Sequence, residues 1–364
     1  MRIVYFTQSI ISDWNNGNAH FLRGIVSELI ARSIEVSVKE PIDGWSLSNL
    51  KHFNGDKVVK DFHENFPLLS PEFYNPEKFT PEDEIGEAQL VIVHEWNEPE
   101  IIRKIGEYRK QNSSFRLLFH DTHHRAVTDP GSIGSLDLSN YDGVLAFGES
   151  LRQVYLKKEW VQRVWTWHEA ADTRIFKPFE YGEKENDVVW IGNWGDEERS
   201  FELHEYIFEP VRELQLKGNV YGVRYSQAAI DELKRCRIEY SGWLPNYKVP
   251  RVFAESKLTI HVPRGPYVEQ LQGIPTIRIF EALACGIPLI TSRWNDCENL
   301  FTEGKDYLMV SSGKMIKQYL RSLLSDSQMA NELRAHGRET ILKKHTCAHR
   351  VDELLDIYDQ IRSR

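Results

Sequence analysis

Short apolar runs alternate with amphipathic stretches along most of the chain. The run from Ile3 to Phe6 is apolar and contains β-branched residues, which is typical of a strand buried on both faces of a parallel sheet. Apolar residues then recur at helical spacing over 18–33, so this segment is predicted to be an amphipathic helix. The same strand-then-helix rhythm continues to about residue 167. It predicts a parallel sheet with helices on both faces.

A second alternating block follows the polar linker at 179–186. It contains predicted strands at 188–191, 220–223, 238–240, 258–262 and 288–291, with predicted helices at 198–216, 228–235, 248–256 and 277–285. The two blocks predict an α/β protein with two Rossmann-like domains facing a cleft. We place the first domain at 1–175 and the second at 183–344, followed by a helical tail.

Residues 41–87 interrupt this rhythm. The segment holds five prolines and many aromatic residues, and its hydrophobic periodicity is weak. We therefore expect an irregular excursion beside the first sheet. Insertions of this length are often functional, although a structural wrap fits the pattern equally well.

Net charge, the length of apolar runs and the spacing of cysteines disfavour several classes of function. The formal net charge is −9, which disfavours non-specific binding to nucleic acid or to an anionic membrane. No apolar run approaches the ~20 residues of a membrane span, and the N-terminus lacks a small-residue cleavage site. The four cysteines lie far apart in sequence, so we expect neither a disulfide framework nor a zinc site. These features predict a cytoplasmic protein.

Several common motifs are missing from the sequence. No two glycines have the Gly-x-Gly spacing of a dinucleotide-binding turn, and no P-loop is present. The sequence also lacks Asp-x-Asp, the carboxylate pair with which many glycosyl transferases hold Mn²⁺ or Mg²⁺.

The most informative stretch is 273–291. Gly286 followed by Pro288 ends a predicted helix that begins after Thr276. Arg278 then lies in the first turn, where the helix dipole disfavours a cation unless an anion binds at the same N-terminus. Glu281 suits a ribose diol, because a carboxylate accepts two hydroxyl donors. A charge pair within the helix explains the two residues equally well.

This stretch resembles the donor-site helix of glycosyltransferases with the GT-B fold, particularly family 4 and the CgeB-like "glycosyl transferases group 1" proteins. The likeness covers about 185–360, and the first half matches only in its general pattern. It implies a nucleoside-diphosphate sugar of UDP or GDP type, bound by the second domain without a metal ion or other cofactor. It also implies that the last helix, about 347–362, crosses back to the first domain.

The resemblance assigns donor contacts residue by residue. It implies that Glu281 binds the ribose and that Arg278, Arg264 and Arg199 are candidates for the diphosphate. The remaining donor-site candidates are Gly192, Asn193, His261 and Phe280. One position departs from the family, because Gly273 stands where family 4 enzymes usually carry a second glutamate. Glu269 or Gln270 from the preceding loop could take its place.

Candidate catalytic residues lie in the first half. His120 and His124 follow the predicted strand at 115–120, and the resemblance implies a histidine here that contacts the transferred sugar. Together with Asp121 and His123, they could instead form a metal site or a structural polar cluster. His20, after the turn at 15–18, and Glu169, near the end of the first domain, are competing bases.

The predicted activity is sugar transfer from the nucleotide to an acceptor, which is a small molecule, a glycan or a protein. The resemblance leaves open whether the anomeric configuration is retained or inverted. Two alternatives remain at the sequence level. One is a GT-B-like nucleotide-sugar epimerase, and the other is a non-catalytic module that binds a nucleotide or a sugar.

Overall fold

A computed structural model describes residues 1–195 and 198–363. The chain divides into two compact units. Unit 1 comprises Met1–Glu169 and Cys347–Arg364, and unit 2 comprises Ala170–Thr346. The boundary follows Glu169, so residues 170–175 belong to unit 2.

Unit 1 is built on a seven-stranded parallel sheet. Its strands are β1 (Arg2–Phe6), β2 (Glu35–Pro41), β3 (Glu72–Tyr74), β4 (Leu90–His94), β5 (Arg116–Asp121), β6 (Gly143–Ala146) and β7 (Val164–Thr166). Their order in the sheet is β3-β2-β1-β4-β5-β6-β7. All five residues of β4 are buried, as expected for a central strand covered on both faces.

The helices of unit 1 follow the strands in sequence. They are α1 (Ala19–Ala31), α2 (Trp45–Asn54), α3 (Lys57–Asn65), α4 (Pro81–Ile85), α5 (Pro99–Gln111), α6 (Arg125–Thr128), α7 (Pro130–Gly134) and α8 (Glu149–Lys157). The last helix of the chain, Cys347–Arg362, also belongs to this unit and packs on α1. Arg32 at the end of α1 donates to the Ala348 carbonyl at 3.1 Å, which ties the two helices together.

Unit 2 is built on a six-stranded parallel sheet. Its strands are β8 (Asn186–Ile191), β9 (Gly218–Tyr221), β10 (Ile238–Tyr240), β11 (Ser256–His261), β12 (Leu289–Ser292) and β13 (Leu308–Val310). Their order is β10-β9-β8-β11-β12-β13.

The helices of unit 2 complete the architecture. They are α9 (Ser200–Leu203), α10 (Glu209–Glu213), α11 (Gln227–Arg235), α12 (Val249–Ala254), α13 (Gly265–Glu269), α14 (Ile277–Cys285), α15 (Gly313–Ser325) and α16 (Ser327–Lys344). The last helix of unit 1 then follows as α17 (Cys347–Arg362). The bounds of α14 agree with the sequence prediction, because Gly286 adopts the left-handed conformation that ends a helix.

The prediction for 41–87 is wrong. In place of an irregular excursion, the segment forms α2, α3, β3 and α4, and β3 extends the sheet by pairing with β2. α2 and α3 each bury only two apolar side chains, and β3 has three residues, so the segment carries little apolar pattern.

Two smaller differences occur in unit 2. The single helix predicted at 198–216 contains a π-helical turn at His204–Phe208 between α9 and α10. The three-residue strand β13 was not predicted, because so short a run carries little pattern. Among the described residues, no helix is long and apolar enough to cross a membrane.

Candidate functional site

In unit 2, the strand order reverses between β8 and β11. The chain first adds β9 and β10 on one side of β8, and it then places β11, β12 and β13 on the other side. Ligands of open α/β sheets bind beside the carboxyl ends of the strands at such a switch point. The loop that starts at Gly192 and the segment that starts at Val262 leave the sheet at this place.

Arg199 connects these two segments. Its guanidinium donates to the Val262 carbonyl at 2.7 Å and to the Asn193 carbonyl at 2.5 Å, and it lies 5.1 Å from the centre of the Trp190 ring. Its buried Nε has no hydrogen-bond partner in the described parts of the chain. Burial, Arg264 and Arg278 lower the pKa of Arg199 to about 10, against the opposing effects of Tyr225 and Glu198. The guanidinium is therefore a largely buried cation that backbone carbonyls hold in place.

The two other arginines carry carboxylate partners. Arg264 Nε lies 2.6 Å from Glu198 Oε2, and Arg278 pairs with Glu281 in the next turn of α14. Because both arginines act on the pKa of Arg199, the three side chains lie close together at the switch point. The cluster favours an anionic ligand.

His261 sets the geometry at the N-terminus of α14. The Thr291 hydroxyl donates to the Ser292 carbonyl at 3.0 Å, so it accepts from His261 Nδ1 at 3.0 Å. The other ring nitrogen, Nε2, then accepts from the Thr276 hydroxyl at 2.9 Å. Burial, Arg199 and Arg278 lower the pKa of His261 to about 3, so the ring is neutral.

This arrangement leaves α14 without a side-chain cap. Thr276 is the N-cap residue, yet its side chain makes no capping hydrogen bond. The backbone N–H groups of Ile277 and Arg278 consequently have no partner within the described residues. Unpaired N–H groups at a helix N-terminus form an anion-binding site when positive side chains lie beside them, as they do here.

Glu281 is fully buried on the first half of α14. Its Oε1 accepts a hydrogen bond from Asn246 Nδ2 at 3.0 Å, and its Oε2 pairs with Arg278. The charge pair that the sequence left open as an alternative is therefore formed.

Gly192 and Asn193 shape the loop after β8. A Cβ on Gly192 would lie 2.7 Å from the Trp190 ring, so only glycine fits there. Its carbonyl accepts from Tyr225 at 3.0 Å, and Asn193 Oδ1 accepts from the Val223 amide at 3.0 Å. Both residues hold the loop that positions Arg199.

Phe280 does not lie with these groups. It is fully buried in the core of unit 2, where its ring lies 5.6 Å from Phe301 and 5.7 Å from His345. The sequence predicted that Phe280 contacts the donor. The side chain instead packs in the core, because its position on α14 faces the interior of unit 2.

Gly273 cannot be replaced by the family glutamate without a rearrangement. Its φ is +89°, and an added Cβ would lie 2.4 Å from Cys297 Sγ. The departure seen in the sequence is thus built into the backbone of the loop before α14.

Gly273→Glu is expected to lower the free energy of unfolding by about 1–3 kcal/mol and to leave donor affinity no better than in the parent protein. The side chain would impose both a left-handed conformation and a clash. Denaturant unfolding measures the effect, and Gly182→Glu is the matched control because nothing lies within 4 Å of its Cβ position. A Gly273→Glu protein as stable as the control would show that the loop adapts.

In unit 1, the adjacent strands β4 and β5 end in a cluster of polar side chains. His94 and His120 are register partners, and each is followed by a carboxylic acid, Glu95 or Asp121. All four residues are buried. This strand-end position corresponds to the ligand-binding edge of an open α/β sheet.

His120 is enclosed by aromatic rings. Its Nδ1 lies 2.5 Å from the Tyr5 hydroxyl, and its ring packs against Phe21, His94 and Trp167. Its Nε2 is buried and has no hydrogen-bond partner among the described residues. Burial and His94 lower the pKa of His120 well below its usual value, so the imidazole is neutral.

The two acids are held differently. Glu95 pairs with Arg125 at 2.7 Å and accepts from Thr122 at 3.2 Å, whereas Asp121 accepts from the Tyr155 hydroxyl at 2.7 Å. Burial raises the pKa of both carboxyls, and Asp121 raises that of Glu95 further, against the opposing effect of Arg125.

His124 is the N-cap residue of α6, and its side chain lies beside that of His123. Its Nδ1 lies 3.0 Å from Thr128 Oγ1, and the two imidazole rings have centres 4.0 Å apart. Within residues 1–195 and 198–363, no three His, Cys, Asp or Glu side chains are grouped so as to hold a metal ion.

The two other base candidates are also buried. His20 lies in the first turn of α1, two residues after Asn18, whose amide donates to Thr122 beside the cluster. Glu169 is the last residue of the first segment of unit 1, and its carbonyl accepts from Arg350 Nε at 3.5 Å.

Solved structures with this fold cover almost the whole chain. An α-glucosyltransferase in complex with UDP-glucose and DNA containing an abasic site aligns with a TM-score of 0.75, at 13% identity over 99% of both chains. Anabaena HepE in complex with UDP and glucose aligns with a TM-score of 0.70, at 12% identity over 99% of both. A glycosyltransferase from Rickettsia africae aligns with a TM-score of 0.68, at 12% identity over 99% of this chain and 98% of that one. At these identities the likeness shows the fold, which is GT-B.

The family comparison concerns the second half of the chain. Residues 199–356 match the glycosyl transferase-like family model. This part of the chain therefore carries the pattern of a glycosyl transferase-like family, and the whole chain has the GT-B fold. No curated protein matches it in sequence. The matched region begins at Arg199 and contains Arg264, Arg278 and Glu281, so the cluster at the switch point lies within the part that carries the family pattern.

Sequence reasoning missed three residues that the structure places at the two clusters. Asn246 holds Glu281, and His94 and Glu95 border His120. A signal for the latter pair was present, because a histidine followed by an acid ends both β4 and β5. Asn246 carries no such signal, since only the fold brings it to α14.

Proposed function

We propose that the protein transfers a sugar from a UDP-sugar bound by unit 2 to an acceptor bound by unit 1, without a divalent cation. The observation that carries this proposal is Arg199, a buried guanidinium that makes its hydrogen bonds to two carbonyl oxygens. A buried cation of this kind is costly unless an anion joins it. The diphosphate of the donor supplies that anion.

The chemistry requires positive charge at the leaving group. When the bond between the anomeric carbon and the diphosphate breaks, its electron pair moves onto the phosphate oxygen. Fixed donors or a metal ion must stabilise the charge that develops there. Arg199, Arg264 and Arg278 and the uncapped N-terminus of α14 supply such donors.

The ribose assignment rests on Glu281 and its surroundings. The carboxylate is fully buried, and Asn246 and Arg278 hold it in one orientation. We propose that it accepts hydrogen bonds from the ribose hydroxyls while Arg278 contacts the diphosphate.

In unit 1 we propose His120 as the residue that contacts the reacting sugar. Its Nε2 is a buried polar atom that lacks a partner, and it lies at the ligand-binding edge of the sheet. A hydroxyl of the transferred sugar would satisfy it. Because its pKa is lowered, the ring stays neutral and acts as a hydrogen-bonding group that carries no positive charge.

The net charge of the chain disfavours a polyanionic acceptor. One structural relative is described in complex with DNA. The present chain has a net charge of −9 and would repel a phosphate backbone.

All four cysteines are free thiols, which supports action in a reducing compartment such as the cytoplasm.

The proposal is tested by thermal shift with UDP, GDP, ADP and their glucose conjugates. UDP at 100 times its Kd stabilises the native state by about 2.7 kcal/mol, which is readily detected. Release of UDP from UDP-sugars over an acceptor panel then reports transfer. A protein that no uridine nucleotide stabilises would contradict the donor assignment.

Turnover is expected to be unchanged by EDTA after purification without added metal, because the arginines and the α14 N-terminus already supply the positive charge. UDP release measured with EDTA, Mg²⁺ or Mn²⁺ checks this. Loss of activity in EDTA that Mn²⁺ restores would mean that a metal ion stabilises the leaving group.

A further inference from the structure

We propose that the outer surface of α2 binds a carbohydrate chain, so that the acceptor is a glycan. This inference rests on the proposed function, because it names the acceptor class of the same reaction. The surface consists of Trp45 and Phe53, with Trp14 beneath them. We call it the aromatic platform.

The three rings of the platform pack on one another in a defined way. Trp14 is only 6% exposed, and its ring is stacked against Phe53 at 5.6 Å with an interplanar angle of 12°. Trp45 meets the same indole in an edge arrangement at 5.2 Å. Trp45 is 54% exposed and Phe53 is 63% exposed, so Trp14 supports two rings that face solvent.

The spacing of the two exposed rings suits an extended ligand. Trp45 and Phe53 are eight residues apart on one helix, and each ring centre lies within 5.6 Å of the Trp14 ring centre, so the two exposed ring centres are at most about 11 Å apart. Flat aromatic faces pack well against the apolar faces of sugar rings. The exposed side chains of Lys51 and His52, next to Phe53, offer polar contacts for hydroxyl groups.

The platform is fixed to the ligand-binding edge of unit 1. Ser46 in the first turn of α2 donates to the Trp14 carbonyl at 2.7 Å, and its hydroxyl lies 2.8 Å from Ser12 Oγ. Trp14 and Ser12 belong to the loop between β1 and α1. The same loop ends at Asn18, which donates to Thr122 at the end of β5. One loop therefore joins the platform to the cluster around His120.

Close packing at Gly44 reinforces this attachment. Gly44 is the N-cap residue of α2, and a Cβ there would lie 3.0 Å from the Gln8 carbonyl oxygen. The helix thus starts directly against the loop after β1. Its position relative to the sheet edge is set by backbone contact and by the serine hydrogen bonds.

The charges around the platform favour a glycan over an anionic lipid surface. The charged residues between 43 and 64 are Asp43, Lys51, Asp56, Lys57, Lys60, Asp61 and Glu64. Lys57 pairs with Asp61, and Lys60 lies 3.6 Å from Glu64. The segment has no basic excess, which binding to an anionic bilayer requires.

The test uses a printed array of defined oligosaccharides, followed by calorimetric titration of those that bind. We expect the parent protein to bind at least one oligosaccharide class. Trp45→Ala and Phe53→Ala are each expected to weaken that binding by about three- to tenfold. Phe179→Ala is the matched control, because Phe179 is 56% exposed and belongs to unit 2. Melting temperatures of all variants verify that they fold.

Three outcomes would overturn the inference. They are absence of binding to every oligosaccharide on the array, equal affinity in the platform variants and the control, and platform-dependent sedimentation with phosphatidylcholine vesicles, with or without phosphatidylglycerol. UDP-induced stabilisation of the parent protein is measured in parallel. If UDP stabilises the protein but no oligosaccharide binds, only the role of the aromatic platform is refuted. If UDP does not stabilise the protein, the proposed donor is refuted.

Discussion

His120→Ala is expected to lower turnover by about 10²–10⁴-fold while leaving UDP affinity unchanged. The two effects separate because His120 belongs to unit 1, whereas the residues proposed to bind UDP belong to unit 2. Its Nε2 is the buried atom proposed to contact the reacting sugar. Steady-state kinetics with a UDP-sugar and calorimetry with UDP measure the two quantities.

A structural role of His120 would give a different result. Phe119→Ala is the matched control, since it removes a fully buried ring from the neighbouring position on β5, which faces the other side of the sheet and packs on Tyr141. Both changes leave a cavity, and both are expected to lower the melting temperature. Only His120→Ala should reduce turnover at temperatures where both variants are folded. Equal losses in the two variants would show that the imidazole serves packing alone.

The pH dependence of turnover offers a second check on His120. Because burial and His94 lower its pKa, the imidazole stays neutral over the range in which an ordinary histidine titrates. A limb of the profile near the ordinary histidine pKa must therefore come from another group. Glu95 and Asp121 are candidates, since burial raises the pKa of both carboxyls.

Most of the fold follows from local pattern. Buried parallel strands such as β4 are short apolar runs, and α14 has clear start and stop signals at Thr276 and Gly286. The prediction for 41–87 failed because α2 and α3 each bury only two apolar side chains, which is too few to establish a period. The π-helical turn at His204–Phe208 has no sequence signal of its own.

The arrangement of the candidate residues in unit 2 was easier to predict than that in unit 1. Arg278 and Glu281 lie within one helical motif, so their proximity follows from spacing along α14. Phe280 shares the motif but faces the core, which the motif alone does not distinguish. The platform of Trp14, Trp45 and Phe53 depends on tertiary packing between a loop and a helix, and no linear pattern reports it.

Arg199→Met is expected to lower UDP affinity by about 30-fold or more, because removing one partner of a buried charge pair costs at least about 2 kcal/mol. Methionine keeps the length and the packing against Trp190 but removes the charge. Arg251→Met is the matched control, since Arg251 is an exposed arginine of unit 2 paired with Glu255.

The folded protein should tolerate the loss of the Arg199 charge. In the absence of an anion, burial and the nearby arginines lower the pKa of this guanidinium to about 10, so its charged form is disfavoured in the native state. Replacing the cation removes that penalty while it also removes two hydrogen bonds to carbonyls, and we expect a small net change in melting temperature.

Calorimetric titration with UDP at two salt concentrations measures the effect of Arg199→Met on UDP binding. The parent and the Arg251→Met protein should bind UDP tightly, with an affinity that falls as salt rises, whereas Arg199→Met should bind weakly and with less dependence on salt. A variant that binds UDP as tightly as the parent would show that Arg199 only fastens the loop after β8 to β11, and the diphosphate would then depend on Arg264, Arg278 and the N-terminus of α14.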